Sequence, residues 1–116
     1  MTNSKAPGAA IAALNDRLRT TLSPAYGRVF QTSGVAALPP ETLVRTLAAV
    51  RAFSAFTPSN DPYGEHDFGS VEVDGTKLFW KIDCYQKGTD FLYGAETPED
   101  AATTDRVLTI MLAEEY

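Results

Sequence analysis

Val71-Glu72-Val73-Asp74-Gly75-Thr76-Lys77-Leu78-Phe79-Trp80 alternates apolar and polar side chains on both sides of Asp74-Gly75, and this alternation decides the fold. An Asp-Gly pair readily takes the positive φ angles of a two-residue hairpin turn, so the flanking residues are predicted to pair as antiparallel strands in a single register. Val71 then faces Leu78 and Gly69 faces Trp80, while Ile82 and Cys84 extend the same apolar face. Opposite the bare backbone of Gly69 the indole of Trp80 has room to lie flat. The other face is polar. There the register sets Glu72 against Lys77, Phe68 against Lys81 and, if pairing continues that far, His66 against Asp83.

Upstream of the hairpin, Ile11, Leu14, Leu18 and Leu22 recur at helical spacing with Asn15, Asp16, Arg17 and Arg19 between them, and Pro24 bounds the helix they predict. Residues 26–32 are rich in β-formers and read as a strand closed by Ser33-Gly34. Pro39-Pro40-Glu41 opens a second helix, because proline suits a first turn and an acid there favours the helix dipole. Leu43, Leu47 and Val50 form its stripe, which Val44 and Phe53 widen. Downstream, Phe91-Leu92-Tyr93 reads as a short return strand. Thr97-Pro98-Glu99-Asp100 carries the signature of a helix start, so a last helix is expected with Val107, Leu108, Met111 and Leu112 on its core face.

These elements predict an α+β chain with an antiparallel sheet of three to four strands and about three helices packed on one face. Residues 1–8 read as a disordered arm and residues 9–116 as one domain, a size that buries a core without disulfides or metal. The Ala-rich run at 9–14 lacks a basic flank, so no signal peptide is expected, and no segment is apolar enough to span a membrane. The single cysteine, Cys84, suits a reducing cytoplasm and falls on the apolar strand face, as a structural thiol.

Charge divides the chain unevenly. Residues 1–55 hold six basic and two acidic side chains, residues 56–116 four basic and thirteen acidic, giving +4 and −9 within a net −5. The acidic part contains the densest polar segment, Asn60-Asp61-Pro62-Tyr63-Gly64-Glu65-His66-Asp67-Phe68-Gly69, with the only histidine. Asp61-Pro62-Tyr63-Gly64 has the composition of a type I turn. Asp61, Glu65, His66, Asp67 and Asp83 suggest one alternative reading, a metal-dependent or acid/base hydrolytic enzyme centred on His66. Against it, catalytic zinc wants about three protein ligands and usually more than one histidine, and in an extended run Glu65 and Asp67 point away from His66. The glycines form no phosphate-cradling loop and no hydroxyl sits on a nucleophile elbow. Neither a cofactor nor a metal is therefore expected.

The reading these residues favour is a non-enzymatic protein-binding module. Its candidate surface is Asp61, Tyr63, Glu65, His66, Asp67, Glu72, Lys81 and Asp83, with Tyr63 as aromatic anchor. An acidic face attracts a basic partner, including a nucleic-acid-binding complex, and repels nucleic acid itself. Direct nucleic-acid binding, which Arg17, Arg19, Arg28, Arg45 and Arg51 would carry, is a weaker alternative, and exposed hairpin edges leave a homodimer open.

The same loop, with Val73-Asp74-Gly75, Phe79-Trp80-Lys81-Ile82-Asp83 and Arg106-Val107-Leu108-Thr109-Ile110-Met111-Leu112-Ala113-Glu114-Glu115-Tyr116, resembles the bacterial domain-of-unknown-function family 3768 (DUF3768). Leu14-Asn15-Asp16-Arg17 and Gly34-Val35-Ala36-Ala37-Leu38-Pro39-Pro40 add to the resemblance, whereas Cys84 and residues 86–90 are less typical of it. The resemblance implies a small cytosolic protein carried among accessory genes of plasmids and integrative elements, with no activity attached. Taken with the acidic surface, it suggests an inhibitor of a host defence complex, of the anti-CRISPR or anti-restriction kind.

Overall fold

A computed structural model describes residues 6–116. Helix α1 (Ala6–Thr21) leads into strand β1 (Arg28–Gln31), the one-turn helix α2 (Ser33–Ala36) and helix α3 (Pro40–Ala52). Strands β2 (Phe68–Val73), β3 (Thr76–Gln86) and β4 (Thr104–Leu112) follow. The four strands form one sheet in the order β1-β4-β3-β2. α1 takes in residues 6–8, which the sequence assigns to an arm; the rest of that arm lies outside the described residues. Leu22 ends α1 in the left-handed region at φ 54°, its amide on Leu18 O, just ahead of Pro24.

The hairpin forms in the predicted register. Phe68 opposes Lys81, Gly69 opposes Trp80 and Val71 opposes Leu78, and Asp74 and Gly75 turn at φ 52° and 81°. Leu78, Trp80 and Ile82 are buried on one face and meet Leu18, Val35, Val50, Leu108 and Ile110 beneath the helices. A Cβ on Gly69 would lie 2.4 Å from Trp80 Nε1, so the glycine there is required by the ring.

Three expectations are overturned. The sheet is mixed, because β1 pairs with β4 in parallel, Val29 beside Leu108. The last helix does not exist. Its start signal is obeyed for one turn, with Asp100 Oδ1 capping Ala102 N at 2.9 Å over a 3₁₀ segment, Ala101–Thr103. The chain then becomes β4, between β1 and β3. A run such as Val107-Leu108-Thr109-Ile110-Met111-Leu112 satisfies both helical and strand periodicity, and a strand covered on both faces carries apolar side chains on both. Val107 and Met111 are buried on one face, Leu108 and Ile110 on the other. Lastly, Phe91-Leu92-Tyr93 forms no strand, and only a Tyr85–Gly94 bridge reaches β3.

α3 begins at Pro40 and carries Glu41 in its first turn, as predicted. Its buried positions are Thr42, Thr46 and Val50, with Leu43, Leu47 and Phe53 half-buried, whereas Val44 is 67% exposed. The stripe is therefore rotated toward the threonines. Thr42 has a reason to face inward: its hydroxyl donates to Asp74 Oδ2 at 2.8 Å, fastening α3 to the hairpin turn, and Arg45 binds the same carboxylate.

Candidate functional site

The acidic segment is fixed from beneath by α1. Asp61 accepts the amides of Glu65 and His66 through Oδ1, at 3.1 and 3.2 Å, and its carbonyl takes Gly64 N, closing the predicted turn. His66 sits at φ 55°, a conformation outside the strand. Its ring stacks on Phe56 with centroids 3.8 Å apart, and Nδ1 lies 2.9 Å from Asp16 Oδ2. Nε2 is 3.7 Å from Asp61 Oδ2. The predicted His66–Asp83 pair does not form, because β2 begins only at Phe68 and the left-handed His66 turns the chain toward α1.

Asp16 is held in turn by Arg19, at 2.9 Å. Arg19 is almost fully buried, lies 5.0 Å over Trp80, and donates from Nη1 to the carbonyls of Val50, Arg51 and Phe53. It thus caps the C-terminal end of α3, where carbonyls lack intrahelical donors. Asn15, with no exposed surface, donates to Glu65 O at 2.9 Å and accepts from Arg106 Nε at 2.8 Å. Sequence reasoning placed these polar residues between the apolar positions of α1. The missed signal was that Ile11, Asn15 and Arg19 are themselves spaced by four and share the buried face.

This fastening separates the candidate residues into groups. Asp61 and His66 serve the loop's own architecture. Glu65, Asp67 and Asp83 line a pocket of about 260 Å³, together with Asn15, Cys84 and Ala95. β3 outruns β2 at this point. Asp67 O takes Ile82 N at 2.9 Å, and the next bond on that edge is Ala95 N to Cys84 O at 3.0 Å, so the pocket opens where β3 passes from one neighbour to the other. Burial lifts the Glu65 carboxyl above its ordinary pKa, with Asp67 and Asp61 repelling its charge as well. Asp67 is raised by burial first, and Asp61 and Asp83 add to it. The Cys84 thiol is pushed up mainly by burial, which suits a structural thiol better than a reactive one.

Tyr63 stands at the tip of the turn, 82% exposed. Lys81 reaches Asp83 at 3.2 Å. Glu72 is exposed on the hairpin opposite Lys77, with no cation within ion-pair distance among the described residues, and is not among the pocket's lining. Among the described residues no three His, Cys, Asp or Glu side chains converge in a way that would hold a metal ion. Of the arginines weighed for nucleic acid, Arg19 is buried, Arg45 is bound to Asp74, and Arg51 donates to Thr20 O.

A family model described as a protein of unknown function (DUF3768) matches residues 31–115. The chain belongs to the DUF3768 family. The matched residues take in α3, the acidic loop, the hairpin and β4, so the pocket carboxylates of this DUF3768 protein lie within the shared region. α1, with Asn15, Asp16 and Arg19, precedes it. No curated protein and no solved structure matches the chain. Among the described residues no helix is long and apolar enough to cross a membrane.

Proposed function

We propose that this DUF3768 protein is a cytoplasmic, non-enzymatic binding module that receives a basic side chain of a protein partner in the Glu65–Asp67–Asp83 pocket, with Tyr63 as the neighbouring anchor. The observation that carries this reading is the pairing of an acidic pocket with an exposed aromatic tip on one segment. Glu65 and Asp67 are ionised at a cost that an incoming guanidinium or ammonium removes, so part of the binding energy is stored in the free protein. The hydrogen bonds from α1 and Asp61 hold the segment in place beforehand, which lowers the ordering cost of association.

The finer reading is an inhibitor of a nucleic-acid-handling defence complex, in keeping with the accessory-gene setting that the family resemblance implies. Proteins that bind nucleic acid present arginines and lysines, the side chains such a pocket accepts. The test is a pull-down from bacterial lysate at low and high salt, comparing the parent with Glu65→Lys/Asp67→Lys and with Tyr63→Ala. The expected result is a stoichiometric basic partner retained by the parent at low salt and lost from both variants. A partner that survives the charge reversal at every salt concentration refutes the reading.

A further inference from the structure

A second pocket has the opposite charge. It lies between α1, the entry to β1 and the start of β4, holds about 250 Å³, and is lined by Arg17, Arg28, Lys87 and Arg106 against a single acid, Asp105. None of the four cations has a carboxylate within ion-pair distance among the described residues. In a chain of net charge −5 such a concentration of unpaired positive charge is unexpected, since thirteen acids crowd the second half of the sequence.

Arg106 is the telling residue. It is 3% exposed and donates from Nε to Asn15 and from Nη2 to Pro98 O. Both of its partners are neutral, and a buried guanidinium without counter-charge is costly to keep. Burial pushes its pKa below the ordinary arginine value. The walls are ordered by aromatic rings: Arg17 lies 5.3 Å over Tyr26 and Arg28 lies 5.0 Å over Phe91, an arrangement that holds a guanidinium in place while leaving its donors free.

We propose that this pocket binds a phosphate group, either free phosphate or the terminal phosphomonoester of a small molecule, with Arg106 as its inner contact and Arg17 and Arg28 as its walls. A phosphate brings close to two negative charges and three strong acceptor oxygens, which three guanidinium groups match better than a single carboxylate would. The volume is below the roughly 300–1,000 Å³ of pockets that enclose drug-sized ligands, so a phosphate end fits and a whole cofactor does not.

The test is isothermal titration calorimetry of the full chain with inorganic phosphate, AMP and adenosine at constant ionic strength. Saturable binding of phosphate or AMP, with adenosine inert, is expected. Arg17→Ala and Arg28→Ala, both at exposed positions, should each weaken it about tenfold, and Lys77→Ala, outside the pocket, should leave it unchanged. AMP binding more tightly than phosphate identifies a phosphomonoester as the ligand, and equal affinity identifies phosphate itself. Absence of saturable binding by both, or binding indifferent to the two arginine variants, overturns the proposal.

Discussion

Gly69→Ala adds one methyl group to the structure, yet it should destabilise the protein substantially. The new Cβ would lie 2.4, 2.6 and 2.7 Å from Nε1, Cε2 and Cζ2 of Trp80, where carbon contacts are comfortable only from about 3.5 Å. The ring would have to retreat by about 1 Å. It has nowhere to go: Trp80 has no exposed surface, and Phe53 at 5.5 Å, Phe56 at 6.1 Å and the Arg19 guanidinium at 5.0 Å fill its surroundings. Overpacking costs about 1–3 kcal/mol, and a ring confined on these sides belongs at the upper end. Loss of glycine's freedom in the unfolded chain returns about 0.4–1 kcal/mol, leaving a net destabilisation of roughly 2 kcal/mol. With an unfolding entropy of about 2.1 cal/mol/K per residue, Tm falls by about 8 °C. Urea unfolding read by the fluorescence of the only tryptophan, with circular dichroism as a second probe, measures it. An alanine variant as stable as the parent would refute the packing, because alanine otherwise strengthens a strand relative to glycine.

Asn15→Ala should cost about 3 kcal/mol, since it strips the buried Arg106 Nε and the Glu65 carbonyl of their partner together, and thermal unfolding beside Asn15→Asp, which keeps an acceptor for Arg106, separates the two losses. Asp67→Asn should raise stability at neutral pH. The folded pKa of Asp67 lies above its unfolded value, so the folded state holds the proton longer; stability falls as pH rises from about 4 through the folded pKa, and the deficit stays above it. The asparagine variant's advantage should accordingly vanish in urea melts below that window, and an advantage independent of pH would show that desolvation of Asp67 is not its source.

The hairpin was legible because it is local. Asp74-Gly75 sets the turn, alternation sets the faces, and Gly69 opposite Trp80 follows from counting. β4 was not, because its apolar run satisfies two periodicities and the choice between them belongs to the strands on either side. The parallel pairing of β1 was hidden for the same reason, as its partner lies at the other end of the chain. In the site, the turn at Asp61 followed from residue type and spacing, whereas the left-handed His66 replaced the extended run expected there. The grip of α1 was not legible, since nothing local ties Asn15 to Glu65 or Asp16 to His66. The basic pocket draws on Arg17, Arg28, Lys87 and Arg106, which sequence distance scatters and only the sheet's connectivity gathers.

The parallel seam between β1 and β4 also orders events in time. A ribosome releases α1 and β1 early, but Val29 and Phe30 have no strand to join until residues 104–112 emerge. At about 5–20 residues per second that is a wait of roughly 4 to 16 s, during which the edge-forming segment remains unpaired. Strand β1 is thus made long before it can be used, and β4 is the strand that completes the sheet.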